Sequence, residues 1–253
     1  MYGAIIGDLA GSIYEYDQLK QVKPIYMNKV IEKNAFYSDD TILTVAILDA
    51  ILHDQNYEKY LRKYIKNYSN YTPDFSSYFK TSFSPKMIKW SKTLEQGKSI
   101  GNGAIMRISP IGHLFHTEQE VIENAKLATI PSHNSNEAIQ SATTVALMIY
   151  YFNQGLSKDE VYQKMNIKLE YHPFLKFNTT CYETIMNCLY TLYYSNSFED
   201  AIRKTLLMGG DTDTNCAIVG SIAEVIYGID KTLKMEANKK LPKEFVKLLK
   251  KNS

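Results

Sequence analysis

The 253-residue sequence has few of the features that mark disulfide-stabilised, membrane-spanning or strongly charged proteins. Its three cysteines are an odd number with no Cys-x-x-Cys pair, which excludes a disulfide-stapled small domain and predicts reduced, buried thiols in a cytoplasmic protein. The longest clean apolar run, residues 145–152, is far too short to cross a bilayer, and the acidic start without a basic leader predicts no signal peptide. The 29 basic and 27 acidic residues leave a net charge of only +2, so nucleic-acid binding is not indicated.

Signals for β-strands are also scarce, because no Asn-Gly or Asp-Gly turn separates alternating runs. The helical period dominates instead. Three segments are apolar on all sides and are therefore predicted to be buried helices: residues 40–52, 137–152 and 215–227. Further helices are predicted over residues 57–71, 179–194, 198–207 and 241–249, with loops that include residues 71–85, 97–103 and 129–136. No linker interrupts the chain, so residues 1–253 are predicted to form one compact, orthogonal all-α domain.

An acidic motif, Tyr37-Ser38-Asp39-Asp40-Thr41, stands immediately before the first buried helix. One Ser or Asp is enough to cap a helix, and two adjacent carboxylates repel each other unless a cation neutralises them. A capped helix with a solvent-exposed Asp40 is the alternative interpretation of this motif alone.

A second acidic motif, Gly209-Gly210-Asp211-Thr212-Asp213-Thr214, stands before the last buried helix. Carboxylate and hydroxyl oxygens without clustered His or Cys favour Mg²⁺, Mn²⁺ or Ca²⁺ over zinc. This motif too could simply cap a helix. Two such motifs at opposite ends of the chain nevertheless favour a shared metal site over two separate caps.

Three weaker signals accompany the acidic motifs. The Gly101-Asn102-Gly103 segment could present backbone N–H groups to a phosphate or form an ordinary tight turn. His133, in a predicted loop, could bind a ligand or be structural. Asp8 and Glu15 lie seven residues apart on one face of the predicted first helix, whose glycines permit close helix contact, and Glu15 at its end could point into a site.

Taken in order, these stretches resemble the ADP-ribosylglycohydrolase family, of the dinitrogenase-reductase-activating glycohydrolase type. The matching stretches are GAIIGDLAGSIYE at 3–15, SDDTILTVAILDAIL at 38–52, GNGAIMRISPIG at 101–112, SHNSNEAI at 132–139 and MGGDTDTNCAIVGSIAEVIYGI at 208–229. The resemblance implies an all-α fold around a central centre of two Mg²⁺ ions, with Mn²⁺ as a possible substitute. It also implies hydrolysis of the bond between ADP-ribose and an acceptor, such as an arginine or serine side chain of a modified protein or a related conjugate.

The resemblance also implies roles for individual residues. The metal ligands would be Ser38, Asp39, Asp40, Asp211, Asp213 and Thr214. Glu15 would lie beside the metals, and Glu15 or a carboxylate such as Asp39 would take a proton from the attacking water. The segment Ser99, Ile100, Gly101, Asn102 and Gly103 would line the diphosphate and ribose, and His133 would contact the distal part of ADP-ribose. A monomer is expected.

Three alternatives use related features. A haloacid-dehalogenase-type phosphatase also has an Asp-x-Asp-Thr motif, but its first Asp ends a buried β-strand, whereas residues 201–208 have a helical pattern. A terpene-synthase-like enzyme needs a longer acidic run than Asp39-Asp40. An ADP-ribose-binding module without turnover would explain the same motifs, although the complete set of candidate metal ligands argues against it.

Overall fold

The computed structural model describes residues 1–73 and 81–251, and within these ranges the protein is helical. No β-strand forms in this part of the chain, where the only β pairing consists of isolated bridges, Lys98 with His133 and Gly101 with Thr180. The predicted all-α fold is therefore confirmed. No helix among these residues is both long and apolar enough to cross a membrane.

The described residues form fourteen α-helices and one short 3-10 helix. The α-helices are, in chain order, α1 (Tyr2–Gly11), α2 (Glu15–Gln18), α3 (Asp39–Ile51), α4 (Tyr57–Tyr68), α5 (Pro85–Ser91), α6 (Ser109–Leu114), α7 (Glu118–His133), α8 (Asn136–Asn153), α9 (Lys158–Lys164), α10 (Cys181–Tyr193), α11 (Phe198–Met208), α12 (Thr212–Tyr227), α13 (Lys231–Lys240) and α14 (Lys243–Lys250). The 3-10 helix covers Asn102–Ala104.

Helices α3, α8 and α12 are the three helices predicted to be buried, and each has apolar residues on all sides. Helix α12 packs against α1, α8, α10 and α11, which surround it. A single continuous hydrophobic cluster extends from Met1 to Leu249. The single domain over residues 1–253 stays a prediction. Residues 74–80 and 252–253, and with them part of the predicted loop at 71–85, lie outside the described residues.

The glycine stripe of α1 allows the closest helix contact in the fold. Gly3, Gly7 and Gly11 lie against the backbone of α12, and a Cβ atom on Gly7 would overlap the carbonyl oxygen of Cys216. Only hydrogen fits in the place of a side chain at such positions. The contact brings the N-terminus of α12, which carries the second acidic motif, beside the end of α1.

Two predicted boundaries are wrong. The predicted loop at 129–136 is helical as far as His133, with Pro131 inside α7. A proline in the last turn removes one N–H but leaves its own carbonyl free, and Pro131 O accepts a hydrogen bond from Gly97 N (2.9 Å). The first helix ends at Gly11, so Glu15 does not lie at its end but begins the separate short helix α2.

Candidate metal centre and substrate site

The first acidic turn, residues 38–41 at the N-terminus of α3, is held by Asp8 of α1. The Asp8 carboxylate accepts hydrogen bonds from the backbone N–H groups of Ser38 (2.9 Å) and Thr41 (3.1 Å), and from both hydroxyls (2.8 and 2.5 Å). Ser38 also caps the helix, because its Oγ accepts from Asp40 N (3.2 Å). Since all four bonds use Asp8 oxygens, Asp8 is better suited to fixing this turn than to coordinating an ion directly.

The second acidic turn, residues 209–214 at the N-terminus of α12, is held mainly through its backbone. Gly209 and Gly210 have φ values of 67° and 78°, a left-handed conformation that other residues rarely adopt. Gln18 Oε1 accepts from Gly210 N (3.1 Å), and Thr212 Oγ1 donates to the carbonyl oxygen of Gly11 (2.9 Å). The two glycines and these two bonds set the direction in which α12 begins.

The two turns meet in one acidic cluster, which we define as Asp8, Glu15, Asp40, Asp211 and Asp213. It contains two groups of three carboxylates, Asp8–Asp40–Asp213 and Glu15–Asp211–Asp213, each with one oxygen per residue within 4.8 Å of the others. Asp213 belongs to both groups.

Hydrogen bonds link the two turns and leave one oxygen free. Thr214 Oγ1 donates to Asp40 Oδ2 (3.2 Å), which joins α12 to α3. Asp40 Oδ1 is buried and has no hydrogen-bond partner among the described residues. An unpartnered buried carboxylate oxygen is costly unless a cation binds it.

Burial raises the pKa of every carboxyl in the cluster, and repulsion between neighbouring carboxylates adds to the effect. The pKa of Asp8 rises to about 7 and that of Asp211 to about 6, while the pKa values of Glu15, Asp40 and Asp213 lie well above their usual range. The site therefore needs positive charge before it can be fully ionised near neutral pH. Its donors are all oxygens, a set that fits a hard divalent cation.

Asp39 lies beside the cluster, and burial followed by repulsion from Asp213 raises its pKa well above the usual range. Asp39 and Glu15 are half-buried, whereas Asp8, Asp40, Asp211 and Asp213 are buried. Glu15 and Asp39 are thus the carboxylates most accessible to water, which fits a role in accepting a proton from it.

The segment at 97–103 lies between α7 and α10 and touches the acidic cluster through Asn102. Asn102 Nδ2 donates to Asp211 Oδ2 (2.7 Å), and Asn102 N donates to Thr179 O (2.8 Å). Gly101 N donates to Ser99 Oγ (3.0 Å), so two of the N–H groups considered for phosphate binding have partners within the protein. Ile100, at 48% exposure, is open to solvent.

His133 is the last residue of α7 and is only 3% exposed. A Cβ atom built on Gly103 would lie 3.3 Å from His133 Nε2, so the imidazole lies directly against the Gly101–Gly103 segment. His133 thus contacts the glycine segment, and Asn102 of that segment contacts Asp211 of the second acidic turn.

Several residues of the site have no role that the sequence alone predicts. Asp8 stands out there only by its spacing from Glu15. Arg107 and Ser132 stand out only as members of the matching stretches at 101–112 and 132–139, without a role of their own. Gln18 shows no signal, because its partner Gly210 is distant in sequence. Arg107 is fully buried, and burial lowers the pKa of its guanidinium to about 10.

Known proteins of one family are similar to this chain. The family model of ADP-ribosylglycohydrolase matches residues 1–251. The chain is 21% identical over 305 residues to ADP-ribosylhydrolase ARH3 of Mus musculus, covering 90% of this chain and 82% of the relative. It is 25% identical over 142 residues to the ADP-ribosyl-[dinitrogen reductase] glycohydrolase of Rhodospirillum rubrum, covering 51% of this chain and 47% of the relative.

A solved structure supports the fold. The chain superimposes on an ADP-ribosylglycohydrolase-related protein complex with a TM-score of 0.73 and 17% identity, covering all of this chain and 96% of that one. Helix α11 precedes Asp211 where a dehalogenase-type phosphatase has a strand, so that alternative is wrong.

Proposed function

This chain belongs to the ADP-ribosylglycohydrolase family and is a glycosidase acting on ADP-ribose conjugates; we propose that it uses two Mg²⁺ ions to release ADP-ribose from a modified protein side chain, such as arginine or serine. The observation that carries the proposal is the pair of carboxylate groups that share Asp213. Because Asp213 is grouped both with Asp40 and with Asp211, two neighbouring ions could share it, with Asp8 and Glu15 beside the ions rather than among their ligands. Mn²⁺ could replace Mg²⁺ on the same oxygens.

In this proposal the ligands are Ser38, Asp39, Asp40, Asp211, Asp213 and Thr214, all of which lie in the two acidic turns. When bound, the ions supply positive charge that orients the ribose hydroxyls and assists departure of the acceptor. Asp8 and Asn102 hold the turns in place through their hydrogen bonds to Ser38, Thr41 and Asp211.

The reaction breaks the bond at the anomeric carbon of the ribose, where positive charge develops on the ring. Glu15 or Asp39, the half-buried carboxylates, takes the proton from the attacking water. The surrounding carboxylates stabilise the developing positive charge on the ring. Ser99, Ile100, Gly101, Asn102 and Gly103 contact the diphosphate and ribose in the proposal, and His133 the distal part of ADP-ribose.

We also propose that the enzyme acts as a monomer in the cytoplasm. Its three cysteines, Cys181, Cys188 and Cys216, are buried free thiols, the state expected in a reducing compartment.

The decisive experiment measures release of ADP-ribose from a panel of conjugates: arginine-linked and serine-linked protein, nucleic-acid-linked ADP-ribose and small-molecule conjugates. We expect release from a protein conjugate in Mg²⁺ or Mn²⁺, none in EDTA, and recovery when the metal is restored. The Asp39→Ala and Asp211→Ala variants should lose activity, while Asp17→Ala, an exposed acid of α2, should keep it. Release that ignores both EDTA and the two variants contradicts the metal proposal, and release confined to other conjugates contradicts the proposed acceptor.

A further inference from the structure

We infer that Arg107 and Ser132 are positioning residues that fix the tautomer of His133, leaving its Nε2–H as a hydrogen-bond donor to an oxygen of bound ADP-ribose. The identity of the ligand rests on the proposed function. The tautomer itself is a property of the ligand-free protein and can be measured without any substrate.

A chain of hydrogen bonds sets the direction of each proton. Arg107 Nη2 donates to Ser132 Oγ at 2.7 Å, and Ser132 Oγ lies 2.7 Å from His133 Nδ1. A guanidinium can only donate, so Ser132 must accept from it. The single hydroxyl hydrogen of Ser132 is then available for Nδ1, which must accept it and therefore carries no proton of its own.

The burial of Ser132 excludes the opposite arrangement, in which Nδ1 of His133 carries the proton. Ser132 is 4% exposed, and among the described residues its Oγ has no partner besides Arg107 and His133. If Nδ1 carried a proton, two donors would meet Ser132 Oγ and its own hydrogen would have no acceptor. A buried hydroxyl hydrogen without an acceptor is unfavourable.

The imidazole is also kept neutral, which agrees with the geometry. Burial and the nearby positive charge of Arg107 lower the pKa of His133 well below its usual value. A neutral imidazole has one donor nitrogen and one acceptor nitrogen. With Nδ1 accepting from Ser132, the donor is Nε2.

Nε2 faces the segment proposed to contact the substrate. It has no hydrogen-bond partner among the described residues, and it lies 3.8 Å from the Cβ position of Gly101 and 3.3 Å from that of Gly103. The backbone on either side of His133 is tied to Gly97 at the start of the segment, because Gly97 N donates to Pro131 O (2.9 Å) and Asn134 N donates to Gly97 O (2.8 Å). A fixed donor beside a glycine segment suits an oxygen acceptor of the ligand.

Arg107 follows Gly103 by four residues, so one short segment supplies both the start of the chain of hydrogen bonds and the surface that Nε2 faces. Movement of this segment would shift Arg107 and the glycines together. The arrangement therefore couples the position of the substrate-contacting segment to the orientation of His133.

The first test is NMR of ligand-free protein labelled with ¹⁵N-histidine, in which long-range ¹H–¹⁵N correlations report the protonation of each ring nitrogen. The chain has five histidines, and the resonances that vanish in His133→Gln identify His133. We expect an unprotonated Nδ1 and a protonated Nε2 in the wild type. In Ser132→Ala the Nδ1 resonance should move downfield, towards that of an acceptor nitrogen without a donor.

The matched control is Ser221→Ala, which removes another buried hydroxyl, one that donates to Ile218 O at 2.7 Å within α12. It should leave the His133 resonances unchanged. A protonated Nδ1 in the wild type, or an Nδ1 resonance that does not respond to Ser132→Ala, overturns the inference.

The second test is calorimetric titration with ADP-ribose. Loss of the Nε2 hydrogen bond in His133→Phe, which keeps a ring but has no donor, should weaken binding by about 3- to 10-fold, and Ser132→Ala should weaken it by a similar factor. The double variant of Ser132→Ala and His133→Phe should be no weaker than His133→Phe alone, because Ser132 acts through His133. Ser132→Thr, which keeps the hydroxyl, should restore most of the affinity.

Effects of Ser132→Ala and His133→Phe that multiply in the double variant overturn the coupling. The outcomes also separate this inference from the proposed function. A wild-type protein with the expected tautomer that neither binds ADP-ribose nor releases it from conjugates contradicts the proposed function alone. An active enzyme with a protonated Nδ1 contradicts the positioning role alone.

Discussion

The two acidic turns have similar compositions but are held in place by different means. Each precedes a buried helix, and each supplies two carboxylates and a hydroxyl to the site. The first turn, before α3, depends on one charged side chain, Asp8, which accepts four hydrogen bonds from it. The second turn, before α12, depends on two glycines with positive φ and on close backbone contact with α1.

This difference separates an electrostatic anchor from a steric one. The first turn should respond to changes of charge and pH, and the second to changes of side-chain volume. Helices α1 and α2 serve both turns, because Asp8 binds the first while Gly11 and Gln18 contact the second. The N-terminal residues thus hold the two halves of the site in register.

The largest effect is expected at Asp213, the carboxylate that the two groups of three share. Asp213→Asn removes a carboxylate from both groups of three. We therefore expect metal-dependent release of ADP-ribose to fall more than about 100-fold, which exceeds the loss typical of a residue that only hydrogen-bonds to a metal ligand. Because one source of buried repulsion is removed, the metal-free variant should also melt at a higher temperature than the wild type. Activity assays and melting curves in EDTA measure both effects, with Asp17→Asn as the exposed control. A variant that keeps its activity would contradict the role of Asp213.

Gly11→Ala tests the steric anchor. The added Cβ would overlap the backbone of Thr212 and Asp213, so we expect a loss of about 1–3 kcal/mol in the free energy of unfolding and weaker metal binding. Urea titration and calorimetry measure these changes. Gly155→Ala gives a comparison without steric overlap, because among the described residues a Cβ atom there would meet no neighbouring atom within 4 Å, and only the positive φ of 84° disfavours alanine. A Gly11→Ala protein as stable as the wild type would show that the contact with α12 contributes nothing.

Asp8→Asn tests the electrostatic anchor. The amide keeps the shape but turns an N–H donor towards the donors of Ser38 and Thr41, so the first turn should lose its fixed geometry. We expect metal affinity and activity to fall by about 10- to 100-fold, the range typical of an outer partner of a metal ligand. Calorimetry with Mg²⁺ measures this change, and full affinity in the variant would show that the turn is fixed without Asp8.

The raised pKa of Asp8 predicts that the stability of the metal-free protein depends on pH. Asp8 has a pKa of about 7 when folded, against an ordinary value of 3.8. Between these values the folded state holds a proton that the unfolded state has lost, so the stabilisation is complete below about pH 4 and disappears as the pH rises through 7. Urea midpoints in EDTA should therefore fall from pH 5 to pH 8, and Asp8→Asn should flatten that decline. Midpoints that rise over this range would contradict the raised pKa.

The smallest effect is expected from Gln18→Ala. The substitution removes the acceptor for Gly210 N and Lys23 N and should lower the free energy of unfolding by about 1 kcal/mol. It leaves Gly209, Gly210 and the contact between α1 and α12 in place. Activity should change by no more than about threefold, in contrast to Asp8→Asn, and Gln21→Ala is the exposed control. An activity loss as large as that of Asp8→Asn would mean that the second turn also depends on a side chain.

Much of the helical architecture could be predicted from the sequence. The buried helices α3, α8 and α12 follow from dense apolar runs, because a helix that is apolar on all sides must be surrounded. The extension of α7 to His133 could not be predicted, because a proline such as Pro131 normally indicates a break in a helix. The carbonyl oxygen of Pro131 accepts a hydrogen bond from Gly97, a contact that no local pattern reveals. The start of α2 at Glu15 was missed for a similar reason, because the end of α1 is fixed by contacts with α12.

By itself the sequence determined an all-α chain and two acidic turns at helix N-termini, since both depend on residues within about one helical turn of each other. Only the tertiary structure decided that the two carboxylate groups share Asp213, that Asp8 holds the first turn, and that Arg107 reaches His133 through Ser132. The linking bonds join residues as far apart as Asn102 and Asp211. Such contacts depend on how the helices pack around α12, and no local pattern of residues encodes them.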